Sequence, residues 1–170
     1  MSTPILWENF FRKTKQNDVL VLLKEIPIFD ELNRRELKTI ERILHRRVYQ
    51  KGEPIFQKGD QGLGMYIIEE GEVDIVAGSA GTRIAHLVDG EFFGELALFS
   101  EQPRQASAIA LQETRVFGFF QPDLYSLLET HPKIGVSVVL KLAKIMAERV
   151  NRIVQENTRL NELATRNTVE

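Results

Sequence analysis

Met65-Tyr66-Ile67-Ile68-Glu69-Glu70-Gly71-Glu72-Val73-Asp74-Ile75-Val76 carries two short runs of β-branched and aromatic residues on either side of Gly71. Runs of this length and composition, parted by a glycine, read as strands joined by a turn. The same character extends in both directions. Residues 83–88, 106–110 and 114–119 are further runs of this kind, and turn signals separate them across residues 48–120. Gly52-Glu53, Gly71-Glu72 and Gly90-Glu91 recur 19 residues apart, an interval that a hairpin and its turn would fill. Gly78-Ser79-Ala80-Gly81 reads as a plain loop. The centre of the chain is therefore predicted to be a small antiparallel barrel or sandwich.

Outward from this segment the period becomes helical. Ile5, Leu6, Trp7, Phe10 and Phe11 make an apolar face at helical spacing, and residues 19–23 begin a second segment behind Asp18 as a possible N-cap. Pro27 interrupts that pattern. Asn33 with Glu36 three residues on has the form of a capping box. The helix it opens would bury Leu37, Ile40, Ile43 and Leu44 and show solvent a basic face of Arg34, Arg35, Lys38, Arg42, Arg46 and Arg47. On the far side, Pro122 suits the first turn of a short helix with Leu124, Leu127 and Leu128, broken by His131-Pro132. A long helix is predicted over residues 133–165. Within it Met146, Val150, Ile153, Asn157, Leu160 and Ala164 are spaced 4, 3, 4, 3, 4, a heptad seam with Asn157 at an a position. The first half of this helix is expected to pack on its own domain and the second half on a partner chain.

Composition narrows the chemistry. The 170 residues include 22 basic and 24 acidic side chains, a net charge of -2, which lacks the basic excess that a nonspecific hold on nucleic acid or an anionic membrane needs. Seen in that light, the basic face after Asn33 reads as a solvated helix surface. There is no cysteine, so disulfides, thiolate metal sites and a cysteine nucleophile are excluded. His45, His86 and His131 lie far apart in sequence, which argues against a histidine-rich metal site. No apolar run approaches the roughly 20 residues needed to cross a bilayer, and the opening residues lack a secretory signal. The protein is expected to be soluble and cytoplasmic.

The chemistry concentrates in Phe93-Gly94-Glu95-Leu96-Ala97-Leu98-Phe99-Ser100-Glu101-Gln102-Pro103-Arg104-Gln105-Ala106-Ser107. Gly94 permits a close turn, and residues 95–98 can start a single helical turn whose first amides are free donors for an anion. Nine residues after Glu95, Pro103 stiffens the backbone ahead of Arg104. A guanidinium offers a planar fork that matches two phosphate oxygens, which a lysine does not. A glutamate beside an anion site makes sense where the ligand also brings hydroxyl donors, as a ribose does. The loop is suited to an anionic sugar phosphate.

This stretch resembles the phosphate-binding cassette of the cyclic nucleotide-binding domain family, found in catabolite activator proteins, protein kinase A regulatory subunits and cyclic-nucleotide-gated channels. The family pattern is Phe-Gly-Glu-(Leu/Ile)-Ala-Leu, a short spacer, then Pro-Arg-x-Ala-(Ser/Thr). Residues 49–60 are similar to the family's first barrel strands and residues 65–73 to its central hairpin; the likeness spans about Ile26 to Val154. It implies an α+β, mainly β fold: an antiparallel β-roll or jelly-roll barrel flanked by N-terminal helices and a long C-terminal helix. The expected division is an amphipathic helical extension over 1–25, the nucleotide-binding roll with its short helices over 26–132, and the long helix over 133–170 as lid and dimerisation element.

The resemblance also assigns roles. Glu95 would accept a hydrogen bond from the ribose 2′-hydroxyl, and Arg104 would pair with the exocyclic oxygens of the cyclic phosphate. Backbone amides of Gly94, Leu96 and Ala97, and those near Gln105 and Ala106, would complete the cradle. Family members that hold guanine place a threonine directly after the arginine; here Gln105 stands there and a hydroxyl comes only at Ser107, which leans towards cAMP over cGMP. Catabolite activators reach adenine through hydroxyls on the long helix, where this chain has Ile153 and Val154. The expected function is a stand-alone, non-enzymatic cyclic nucleotide sensor that works without a cofactor or metal. It would form a homodimer through the C-terminal helix and act on a downstream protein that the sequence does not name, with no direct DNA or membrane contact, since the chain ends at Glu170 without a helix-turn-helix. Two alternatives stand beside it: a ligand-free dimerisation scaffold with a relic pocket, separable by nucleotide titration, and a cupin-like metalloenzyme, separable by metal analysis.

Overall fold

The computed structural model describes residues 19–78 and 81–167, with side chains described as far as Arg159. The apolar face of residues 5–11 and the Asp18 cap lie outside the described residues. The first described helix, α1, runs over 19–25 and stops ahead of Pro27. α2 (Arg34–Ile43) opens on the anticipated capping box: Asn33 Oδ1 accepts from the amides of Arg35 (2.9 Å) and Glu36 (3.2 Å), and Glu36 Oε2 accepts from the Asn33 amide (2.8 Å). Leu37 and Ile40 face inward.

Eight strands follow: β1 (His45–Tyr49), β2 (Pro54–Phe56), β3 (Gly64–Glu70), β4 (Val73–Ala77), β5 (Thr82–Leu87), β6 (Phe92–Phe93), β7 (Ser107–Ala110) and β8 (Thr114–Phe120). They form two four-stranded antiparallel sheets, ordered β1-β8-β3-β6 and β2-β7-β4-β5. The roll is thus a pair of sheets and not a closed barrel. α3 (Gln121–Thr130) and α4 (Pro132–Asn167) complete the chain, and with this 36-residue helix the helical residues outnumber those in strands. Among the described residues no helix is long and apolar enough to cross a membrane.

Side-chain alternation along β3 explains why its run is apolar without a break. Met65 and Ile67 point to one face beside Phe119 and Phe117 of β8, while Ile68 points to the other beside Val116. The first face meets a core built with Leu23, Ile26 and Phe29, Ile40 of α2, Leu124 and Leu127 of α3, and Ile134, Val138 and Leu142 of α4. The second meets a smaller core between the sheets, with Ile55, Val73, Phe93 and Ala108. Each fully buried side chain of this kind contributes about 1.5–3 kcal/mol.

Two members of the Gly-Glu repeat make the same turn. Gly52 and Gly90 sit at φ 82° and 80°, a left-handed conformation that favours glycine. The following Glu53 and Glu91 each fold back to accept from the backbone amide three residues earlier, Gln50 (2.8 Å) and Val88 (2.9 Å).

One expectation is corrected. Arg46 and Arg47 do not extend the basic face of α2. Leu44 already has extended backbone (ψ 140°), and both arginines lie on β1, paired with Phe117 and Val116 of β8.

Candidate functional site

The loop from Phe93 to Ser107 is pinned at both ends. β6 pairs with β3 through Tyr66↔Phe93 and Ile67↔Phe92, so Gly94 leaves the edge of one sheet. Ser107 enters β7 beside Val76 in the other sheet. Between them, Pro103 bridges to Gln61, the Arg104 amide donates to the Asp60 carbonyl (2.8 Å) and the Gly59 amide donates to the Arg104 carbonyl (2.9 Å). The arginine backbone is thereby fixed against a second loop before its side chain makes any contact.

Gly94 adopts φ 78°, ψ 14°, and a short 3-10 helix over Glu95–Leu98 follows. A Cβ at Gly94 would stand 2.7 Å from Arg104 Nη1, so both the conformation and the close approach require glycine. Arg104 turns inward and is only 8% exposed. Its Nη1 donates to the Gly94 carbonyl (3.1 Å) and its Nη2 to the Gly64 carbonyl (2.6 Å), while Nε is buried without a hydrogen-bond partner. The guanidinium lies 4.0 Å over the Phe56 ring and 6.0 Å from that of Tyr66. Burial pulls its pKa below the usual arginine value, opposed by Tyr66, Asp60 and Glu95. Among the described residues no carboxylate forms a salt bridge with it. A buried cation held by two carbonyls and two aromatic faces, with one donor unused, has the charge and the donor that an anion would need.

Glu95 is also buried, at 7% exposed, but its partner lies elsewhere. Arg149 of α4 donates from Nη1 to Glu95 Oε1, and its guanidinium sits 4.9 Å over the Phe92 ring. The long helix therefore crosses the short turn and ends its contact with the domain there: Val150, Ile153 and Val154 are each more than half exposed. Arg149 was not singled out in the sequence. The signal was Glu95 itself, because a carboxylate beside an apolar turn needs a counter-charge when buried.

The remaining predicted residues divide. Leu96 is exposed and Ala97 buried; the Ala97 amide donates to the Gly94 carbonyl (3.2 Å). That bond leaves the amides ahead of it, on Glu95 and Leu96, as the ones without an acceptor inside the turn. Gln105 is exposed, and its Nε2 donates back to the Pro103 carbonyl (3.1 Å). Ala106 is half-buried, and Ser107 Oγ accepts from the Lys58 amide (2.9 Å). Gly94, Glu95 and Arg104 thus share one corner, whereas the Gln105 and Ser107 side chains serve their own loops. Sequence reading also missed an aromatic cluster beside that corner: Phe56, Tyr66 and Phe93, with ring centroids 5.7–6.0 Å apart. Tyr49 stands next to it, and burial together with Tyr66 pushes its hydroxyl up to about 12.

Leu98 closes the 3-10 turn and inserts into the core shared by α1, α3 and α4. The corner of Gly94, Glu95 and Arg104 is therefore in packing contact with the helices as well as tied to α4 by Arg149. Among the described residues no group of three or more histidine, aspartate or glutamate side chains is placed to hold a metal ion.

Comparison with known proteins gives a consistent picture. The model of the cyclic nucleotide-binding domain family matches residues 46–131. The chain is similar to the cyclic AMP receptor protein of Thermus thermophilus, 32% identical over 129 residues that make up 74% of this chain and 60% of that protein. It is similar to the cAMP-dependent protein kinase regulatory subunit of Colletotrichum orbiculare, 34% identical over 66% of this chain and 28% of that one. Among solved structures, the catabolite activator protein of Thermus thermophilus superposes with a TM-score of 0.72 at 32% identity, over 79% of this chain and 63% of that one. The regulatory domain of Toxoplasma gondii PKA, crystallised with cAMP, superposes with a TM-score of 0.66 at 26% identity, over 80% and 51%. The chain spans less than two thirds of the length of each of these relatives.

Proposed function

The chain belongs to the cyclic nucleotide-binding domain family, and from that premise we propose that it is a cAMP-responsive regulatory module in which the anion corner and α4 change together. One observation carries the reading: Arg104 is a buried guanidinium with an unused donor and no carboxylate paired to it among the described residues. A cyclic phosphate supplies the missing charge. Arg104 binds its exocyclic oxygens, the amides at the start of the Glu95–Leu98 turn bind the same group, and Glu95 accepts from the ribose 2′-hydroxyl. The Gln105 side chain, folded onto its own loop and lacking a hydroxyl for guanine, supports cAMP over cGMP, as does the naming of cAMP for the relatives above. No residue is given a catalytic role.

Signalling runs through two links. Arg149 holds the carboxylate that the ribose requires, so a ligand hydroxyl on Glu95 alters what α4 can hold there. Leu98 carries any shift of the turn into the core that contains Leu124, Leu127, Val138 and Leu142. The ligand moves this equilibrium only by its differential affinity for the two positions of α4. The second half of α4, with Val150 and Ile153 exposed and Asn157 in register, is the face on which a second copy forms a two-stranded seam.

Hydrogen exchange with and without cAMP tests this reading. Protection is expected at residues 94–107 and along α4 around Arg149, with sedimentation showing a dimer. Protection confined to the loop, with α4 unchanged, contradicts the coupling.

A further inference from the structure

Phe56 stands where strand alternation would not put it. Its neighbour Ile55 is buried in the core between the sheets, so an unbroken β2 would turn Phe56 to the opposite face. The register between β2 and β7 slips, however. Pro54 pairs with Ile109 and Phe56 with Ala108, two steps on one strand against one on the other. An irregularity of this kind re-aims a side chain, and Ile55 and Phe56 both reach the same core. Two further rings hold the Phe56 ring there, Phe93 at 5.8 Å and Tyr66 at 6.0 Å between centroids. Its face is left to Arg104, whose guanidinium carbon lies 4.0 Å from the ring centroid.

We propose that Phe56 is a positioning residue for the anion corner, holding the Arg104 guanidinium by its ring face without taking any of the in-plane donors. This rests on the cyclic phosphate reading above. A buried guanidinium ordinarily needs a counter-charge. Asp60 and Glu95 are the carboxylates whose charge reaches Arg104, and each is engaged elsewhere: Asp60 Oδ2 accepts from the Gln57 amide (2.7 Å) and Glu95 Oε1 from Arg149. A carboxylate seated on Arg104 would neutralise it, and the ligand would have to displace it. An aromatic face does neither. It attracts the cation through its quadrupole, more strongly where water is excluded, and it approaches at right angles to the plane in which Nε, Nη1 and Nη2 donate. The Tyr66 ring, at 6.0 Å, is at the outer limit of such a contact. Within the plane, the Gly64 and Gly94 carbonyls fix the orientation while Nε stays unpartnered. Without the ring, an arginine that leaves the corner in the free protein must be brought back by the ligand, and apparent affinity falls with the fraction still in place.

Two readouts on the full chain test this. In the free protein, heteronuclear NMR follows the Arg104 Nε–H, assigned by its absence in Arg104→Lys. It is expected to lie upfield through the ring current of Phe56 and to exchange slowly with water. In Phe56→Leu it should join the exposed arginines. Calorimetry with cAMP should show Kd raised roughly 3- to 30-fold in Phe56→Leu. Phenylalanine carrying one, two and three fluorines at position 56 weakens the ring's negative face at nearly constant shape. Affinity should fall step by step along that series, which a purely packing role would not produce. Ile55→Val, a change in the packing of β2 alone, should leave Kd unchanged. An Arg104 resonance that stays in place in folded Phe56→Leu overturns the proposal. So does a parent that binds cAMP with affinity flat along the fluorinated series, or an equal loss in Ile55→Val. A parent that binds no nucleotide removes the function proposed above, and the resonance in Phe56→Leu then decides alone whether Phe56 positions Arg104.

Discussion

Replacing Arg104 with leucine separates a ligand-binding arginine from a structural one. If the guanidinium binds two exocyclic oxygens, each charge-assisted bond contributes about 1.5–3 kcal/mol, and losing both removes about 3–6 kcal/mol of binding. At about 1.4 kcal/mol per decade that is a rise in Kd of roughly 10²–10⁴-fold. The effect on the empty fold is smaller, since opposing contributions meet there. Leucine leaves the Gly64 and Gly94 carbonyls without their donors, at about 1–3 kcal/mol each, and gives up about 1–2 kcal/mol of cation–π contact with Phe56. Against this, the desolvation that lowers the arginine pKa disappears, because no buried charge remains. The variant should stay folded, with a loss of about 1–3 kcal/mol in urea unfolding, and bind cAMP at least a hundredfold more weakly in calorimetry. Arg104→Lys retains charge but not the fork and should fall between parent and leucine variant. A folded leucine variant whose affinity stays within a few-fold of the parent refutes the reasoning.

Three further outcomes follow from the geometry. Gly94→Ala forces a left-handed φ on a side chain and drives its Cβ towards Arg104 Nη1; urea unfolding should show a loss of at least about 1–2 kcal/mol, with weakened nucleotide binding. Asn33→Ala removes the α2 cap and should cost about 1 kcal/mol in the same assay while leaving affinity unchanged, because no residue of the anion corner touches it. Tyr49, held neutral in the fold with its hydroxyl up to about 12, contributes stability that is complete below its ordinary value of 10.0 and is lost as pH rises from there through 12. Thermal unfolding of parent and Tyr49→Phe should therefore diverge in slope only in that alkaline window, with the parent losing more.

How legible these features were depends on how local their causes are. The capping box at Asn33, the stop at Pro27, the break at His131-Pro132 and the run of β3 are set by neighbouring residues, and each reads directly from the sequence. Gly94 and Arg104 were legible for the same reason, since a tight corner and a rigid fork dictate residue type. β1 was hidden. Four of its five residues are exposed and none alternate in polarity, so Arg46 and Arg47 continued the helical spacing of α2 on paper, and only the backbone ladder to β8 makes them a strand. β6, at two residues, is too short for any period. The Glu95–Arg149 pair joins two elements across 54 residues of chain, so helical spacing carried no trace of it. The Phe56, Tyr66 and Phe93 cluster likewise joins three strands from distant segments, which only the crossing of the two sheets brings together.

The most direct test of the account is calorimetric titration of the full chain with cAMP, cGMP and a cyclic dinucleotide in parallel. The account predicts one cAMP bound per chain, tighter than cGMP, with no saturable heat from the dinucleotide. Absence of saturable binding by all three, from protein shown to be folded, contradicts it and leaves the inward-facing guanidinium as a relic of the fold.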